Sequence, residues 1–174
     1  ANGSNTDEDR LAIQEEIRAL MTEVNRIAGD TTFGGENLLD GTYEGNFQVG
    51  ADAVQTIGFS MQNVGDSATA SISANGGFTL SGIAGIASAI GANATLSESL
   101  SDKLEGLSDS IDGTEIATEF KFANVFVAST ISVSTQGNAQ AVLAGMDSLI
   151  AVVDKKRAEL GAVQNRFQST INNQ

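Results

Sequence analysis

A long apolar repeat in the last quarter of the sequence restricts the fold more than any other feature. From Val142 to Ile171, apolar residues return every three or four positions, and only Lys156 interrupts them. This spacing keeps the side chains on one narrow stripe, which is typical of a helix that lies along another helix. The stripe consists of Val142, Met146, Leu149, Val153, Leu160, Val163, Phe167 and Ile171. The sequence therefore predicts one long helix over residues 138–172.

A second row of the same spacing lies near the start of the chain and predicts a helix over residues 7–28. We expect the two helices to lie antiparallel and to form a rod. The helix seam would consist of Ile13, Ile17, Leu20, Val24, Ile27, Leu149, Val153, Leu160, Val163 and Phe167. The helices would measure roughly 33 and 52 Å. We therefore expect part of the seam to be covered by another protein or by a helix upstream of Ala1.

Composition restricts the classes of function. The 174 residues contain no Cys, His, Trp or Pro, so the usual nucleophile and base pairs, zinc ligands and disulfides are missing. A net charge of -13 argues against a surface that binds nucleic acid. No apolar run is long enough for a membrane helix. We predict no catalytic residue, no metal site and no cofactor.

Local signals predict the bounds of the first helix and the structure of the segment after it. A capping box formed by Thr6 with Asp9, or by Ser4 with Asp7, would begin the helix. The helix should stop near Gly29, a residue that readily takes the left-handed conformation. Residues 31–64 then alternate apolar and polar side chains between Gly-containing turns, which predicts β-hairpins that pack on the helices.

The middle of the chain is rich in Ser, Ala and Gly and is less determined. The turn sequence at residues 75–77 predicts a hairpin, and apolar spacing predicts a short helix at residues 83–90. A longer helix is expected at residues 96–111, and β-branched and aromatic residues predict strands within residues 119–134.

The sequences near the two ends resemble a known family. The segment RAELGAVQNRF, Arg157 to Phe167, closely matches the C-terminal core signature of bacterial flagellins. The segments ANGSNTDEDRLAIQEEI, NRIAGDTTFGGENLLDG and FQVGA resemble the flagellin N-terminal core in the same order. The resemblance covers about residues 1–64 and 130–174 and flanks a variable centre. One departure is Gly34-Gly35, where flagellins more often have Asn-Gly.

This resemblance implies a mainly α fold with a β part, in which an elongated antiparallel helical rod carries β-hairpins and a small α/β insertion. Residues 1–64 and 124–174 would form the core domain, and residues 65–123 the variable insertion. The extreme terminal helices of flagellins and their first long core helix would lie outside this sequence. The resemblance also implies a secreted, extracellular subunit that polymerises with copies of itself into the flagellar filament for motility.

The same resemblance implies partners and contact residues. Other flagellin subunits are the main expected partner, with an export chaperone and a cap protein for the full-length chain. By motif match, we expect Gln14, Glu16, Gln164, Asn165 and Arg166 to be solvent-facing contact residues. The innate immune receptor for flagellin is a further possible partner, and Glu16 lies in the matching region. Glu16 and Arg166 could equally be solvated charges of two helix faces.

Two other classes of function stay open at this point. The chain could be a secreted helical-rod adhesin whose ligand site lies in residues 65–123, or a hook-filament junction protein, although the latter departs from AVQNRF. An enzyme is less favoured, because the candidate acids Glu98, Asp102 and Glu105 would lie on one exposed helix face without a partner base.

Overall fold

The computed structural model describes residues 5–50, 55–65, 70–90, 126–129, 131–134 and 136–173. Within these ranges the chain forms three α-helices and four short strands. The helices are α1 (Asp7–Asp30), α2 (Leu80–Ile90) and α3 (Gln136–Asn173), and the strands are β1 (Thr32–Phe33), β2 (Glu36–Asn37), β3 (Glu44–Gln48) and β4 (Thr56–Ser60). The predicted mainly α fold with β-hairpins is confirmed. The helix predicted at residues 96–111, with Glu98, Asp102 and Glu105, lies outside the described residues, as does Ser4.

Helix α1 begins at the predicted capping box. The backbone N–H of Asp9 donates to Thr6 Oγ1 at 3.2 Å, and the backbone N–H of Thr6 donates to Asp9 Oδ2 at 3.0 Å. The helix runs past Gly29 to Asp30, and the N–H of Thr31 closes it by donating to the Ile27 carbonyl. The helix therefore stops near Gly29, as predicted, although Gly29 itself lies within the helix. Thr31 is the capping residue, because both its N–H and its hydroxyl satisfy the Ile27 carbonyl.

The capping box gives a prediction for the titration of Asp9. Hydrogen bonds donated by the backbone N–H and the hydroxyl of Thr6 hold the pKa of this carboxyl below its ordinary value of 3.8. The stabilisation is thus complete above the unfolded-state pKa and disappears as the pH falls through the lowered one. In Thr6→Ala we expect the pKa of Asp9 to rise towards 3.8, measured by NMR titration. Thr6→Ser keeps the hydroxyl and is the matched control, so equal pKa values in both variants would contradict the assignment.

Two antiparallel hairpins come after α1, as predicted. Gly34 and Gly35 both have positive φ, of 63° and 91°, and form the two-residue turn between β1 and β2. The hairpin of β3 and β4 pairs Glu44 with Ser60 and Gln48 with Thr56. Ile57 is buried and shares one face with its cross-strand partner Phe47, whereas the pair Gln48 and Thr56 lies on the opposite face and is exposed. The hairpin therefore has one face on the protein and one towards solvent.

The hairpin predicted at residues 75–77 is wrong. Residues Ser73–Asn75 form a short 3₁₀ turn, and α2 begins soon after it. The N–H of Phe78 donates to the Leu39 carbonyl at 2.7 Å. Gly77 has φ of +76°, and a Cβ there would lie 2.6 Å from the carbonyl carbon of Asp40. The close approach to residues 39–40 therefore sets the chain direction here, and Ser71 in TASISA forms an isolated antiparallel bridge with Asn63 instead of pairing with the residues after the turn.

Helix α2 joins the N-terminal and C-terminal parts of the chain in one hydrophobic core. Its Ile83, Ile86 and Ala87 are buried together with Met21 of α1 and Leu149 of α3. Further buried members are Met61, Val64, Ala70, Ile72, Phe78, Leu80, Ala84, Phe126, Ile131, Val133, Val142 and Val152.

The described residues 126–129 and 131–134 are not in strands, which contradicts the prediction there. The boundaries at residues 64 and 124 stay a prediction, although residues 70–87 share the core of the flanking parts.

The contacts along α1 determine its direction relative to α3. Near the start of α1, Gln14 Oε1 accepts from the N–H of Val133, just before α3 begins. Near its end, Ile27 lines the same groove as Leu160, far along α3. The two helices thus run in the same direction, which corrects the antiparallel orientation expected from the sequence. The short connections that force antiparallel neighbours are missing, because more than a hundred residues separate the helices.

The core assignment predicts a strong difference between two leucines of α3. Leu149 is 4% exposed and Leu143 is 68% exposed. We expect Leu149→Ala to lower the free energy of unfolding by about 2–5 kcal/mol, since it leaves a cavity. The matched change Leu143→Ala should stay within about 0.5 kcal/mol. Urea unfolding followed by circular dichroism measures both, and similar losses would show that α3 is placed wrongly.

Candidate assembly surface

An apolar groove of about 310 Å³ is lined by the end of α1 and the middle of α3. Val24 and Ile27 contribute from α1, and Val153 and Leu160 contribute from α3. These four side chains are 36–47% exposed, which is high for large apolar residues at regular helical spacing. The groove is therefore a solvent-exposed surface that is lined, like a protein core, by apolar side chains.

These four groove residues all belong to the predicted helix seam. Besides these four residues, Leu20 is 60% exposed, whereas Leu149 is buried. Ile13 and Ile17 are half-buried against the core, and Val163 and Phe167 are half-buried further along α3. Both apolar rows thus exist on the helices, and each has a core-facing and a groove-facing part.

Lys156 attaches α3 to the end of the β3-β4 hairpin. Its side chain is buried, and Nζ donates to the Ser60 carbonyl at 2.6 Å and to the Asn63 carbonyl at 2.8 Å. The third donor reaches Glu159 Oε2 at 3.0 Å, and Glu159 Oε1 accepts from the N–H of Gly65. All three protons of the ammonium group are therefore used, which is the condition for burying such a charge.

Sequence reasoning missed this role of Lys156, which it treated as an interruption of the apolar row. The signal was present, because a single charged residue at a core position of an otherwise apolar stripe needs partners. The partners could not be found from the sequence. They are backbone carbonyls at residues 60 and 63, more than 90 residues away.

Aromatic side chains make a second attachment of the hairpin to α3. The ring of Phe47 stacks on Phe59 with centroids 5.9 Å apart, and it meets Phe167 edge-to-face at 5.5 Å. Tyr43 also packs against Phe59, with ring centroids 5.5 Å apart. Because such pairs add to the free energy of burial, the hairpin is held along α3 at two separate points.

The predicted contact residues divide into two groups. Glu16, Gln164, Asn165 and Arg166 are exposed. Gln14 is half-buried and is engaged with Val133, so it does not face solvent as predicted. The reason is its position on α1, where it lies towards the chain segment that leads into α3.

Within the described residues, no three Asp or Glu side chains come together in a way that could hold a metal ion. None of the helices described here is both long enough and apolar enough to span a bilayer.

The described residues thus form a mainly helical protein with an exposed apolar groove. Residues 1–44 match the family model for the bacterial flagellin N-terminal helical region. The chain is 35% identical to flagellin C of Vibrio anguillarum and 32% identical to flagellin D of Vibrio cholerae, and each alignment covers 99% of this chain and 59% of the relative. It is 31% identical to polar flagellin A of Vibrio parahaemolyticus, and that alignment also covers 99% of this chain and 59% of the relative. The chain belongs to the bacterial flagellin family and spans somewhat more than half the length of these relatives.

The attachment through Lys156 can be tested on the isolated chain. We expect Lys156→Met to lower the free energy of unfolding by about 2–3 kcal/mol, because two part-buried carbonyls and one carboxylate lose a charged donor. Arg166→Met is the control on the same helix, since Arg166 is exposed, and it should change the value by no more than about 0.5 kcal/mol. Urea unfolding measures both variants. Equal stability of the two would mean that Lys156 does not hold the hairpin.

Proposed function

We propose that the protein to which this chain belongs is the structural subunit of the flagellar filament, secreted from the cell and polymerised with copies of itself for motility. The observation that carries this proposal is the similarity to flagellins along 99% of the chain, together with the helical core that the motifs build. The proposed role is structural, not enzymatic. Flagellins are the relatives found, which favours this role over an adhesin or a hook-filament junction protein.

The apolar groove supports a subunit whose core is completed by further helix. Leu20, Val24 and Ile27 on α1 and Val153 and Leu160 on α3 have the exposure expected of a surface that another apolar helix covers. The relatives contain chain beyond the part matched here. We propose that a helix of the full-length protein, upstream of Ala1, lies in this groove.

Exposed polar residues of the core helices are the proposed contacts between subunits. Glu16 on α1 and Gln164, Asn165 and Arg166 on α3 are exposed and lie on rigid helices. Heterologous contacts of such surfaces propagate without closing and produce a helical polymer. An export chaperone, a cap protein and the innate immune receptor for flagellin are further proposed partners of the full-length protein.

Electron microscopy of the full-length protein tests the proposed function. Purified subunits, concentrated and salted out, should form smooth tubes of uniform diameter that sediment and that dissociate into monomers on heating. A variant with Leu20→Asp and Val24→Asp provides the comparison, because charges in the groove should prevent the core from being completed and should abolish tubes. Persistently monomeric wild-type protein, with or without short filaments as seeds, would contradict the proposal.

A further inference from the structure

Helix α1 has an exposed acidic face that is separate from both the core and the groove. Residues 8, 12, 15 and 19 recur at the three- and four-residue steps that place them on one side of a helix, and Glu16 adjoins them. All of them are exposed. The acidic face consists of Glu8, Ala12, Glu15, Glu16 and Ala19. Since the alanines between the carboxylates are small, another helix could approach this face closely.

Helix α3 has an exposed face of the opposite charge and the same construction. Residues 151, 155, 158, 162 and 166 again recur at three- and four-residue steps, and all are exposed. The basic face consists of Ala151, Lys155, Ala158, Ala162 and Arg166. Its two cations are separated by small residues, as the carboxylates of the acidic face are.

The cations of the basic face have no ion-pair partner within the part of the chain that the structure describes. Arg10, Arg18, Arg26, Lys156 and Arg157 each pair with a carboxylate on their own helix. Lys155 and Arg166 differ from them in having no such pair among the described residues.

The carboxylates of the acidic face also have few ion pairs among the described residues. Glu8 and Glu16 have no ion pair among the described residues, and Glu15 reaches Arg18 only at 3.9 Å. Arg18 meanwhile donates to the Ile131 carbonyl at 3.1 Å. Each face therefore has uncompensated charge of one sign.

We propose that the acidic face of one copy docks on the basic face of the next copy, as one of the repeating contacts of the polymer. This inference rests on the proposed function and specifies a contact within it. The shared core fixes α1 and α3 within one chain, so the acidic face and the basic face of the same molecule both point outward. A second molecule is therefore needed to bring an acidic face against a basic face. Because the two faces differ, the contact is heterologous and can repeat without limit.

The spacing of the charges is compatible with this contact. Lys155 and Arg166 are separated by roughly 16 Å along α3, and Glu8 and Glu16 by roughly 12 Å along α1. The difference lies within the reach of the flexible Lys and Arg side chains. The contact would also bring alanine against alanine, which permits close packing of the two helices.

Charge reversal in the full-length protein tests this contact. The acid-reversed protein has Glu8→Lys and Glu16→Lys, and the base-reversed protein has Lys155→Glu and Arg166→Glu. Seeded polymerisation at low ionic strength, where charges are weakly screened, measures the critical concentration. We expect each variant to raise it roughly tenfold or more, since two attractive pairs become repulsive. Glu44→Lys, an exposed reversal on β3, is the control and should leave it unchanged.

A mixing experiment separates this specific contact from a general effect of net charge. In the mixture, both faces of the acid-reversed protein are positive and both faces of the base-reversed protein are negative. The two should therefore copolymerise in alternation near the wild-type critical concentration, although neither polymerises alone. A chain that contains all four substitutions should also polymerise by itself.

The outcomes distinguish the contact from the proposed function. If wild-type protein polymerises and the reversed variants do so equally well, the contact is wrong and the filament role stands. If the variants fail but mixing does not restore polymer, the two faces do not meet, and the contact is again wrong. If wild-type protein does not polymerise even from seeds, the proposed function itself is wrong. Circular dichroism confirms that each variant is folded before it is scored.

Discussion

The structure depends on the burial of α2 between the two ends of the chain. Ile83 and Ile86 pack in the same core as Met21 of α1 and Leu149 of α3. The chain has no Cys for a disulfide, and the described residues hold no metal-binding cluster. Apolar burial is therefore the main term that can offset the conformational entropy of ordering a 38-residue helix. The hairpins, the groove and both charged faces keep their positions because this core fixes the helices that carry them.

Periodicity predicted the long elements well. The helices at the two ends, the capping box of Thr6 and Asp9 and the hairpins after α1 are all encoded by short-range signals in the sequence. Such signals act over a few residues and are largely independent of the rest of the fold. The family could also be predicted, because its motifs lie in these same well-determined segments.

The failures share a physical cause, which is dependence on distant contacts. TASISA has strand-like alternation, but it pairs with the segment before it and not with the one after it. Ser71 forms an antiparallel bridge with Asn63, and the N–H of the buried Ile72 donates to the Gln62 carbonyl. Gln14 has the helical position of a solvent-facing residue, but its Oε1 accepts from the N–H of Val133, which is 119 residues away. The relative direction of α1 and α3 was also undetermined, since apolar spacing defines a stripe on each helix and not the direction of its neighbour. The partners of Lys156 are backbone atoms, which leave no residue pattern.

Each long helix presents three different sides, and this explains why a simple seam was an incomplete description. On α1, Met21 faces the core, Val24, Ile27 and Ala28 line the groove, and the acidic face points outward. A helix with one partner needs a single apolar stripe, whereas a helix with a core on one side and a groove on another needs a wider one. The charged outer sides then contribute little to the stability of the monomer, because exposed ion pairs are weak. Their charges remain available for contacts between molecules, where complementary patterns fix the register of repeated copies.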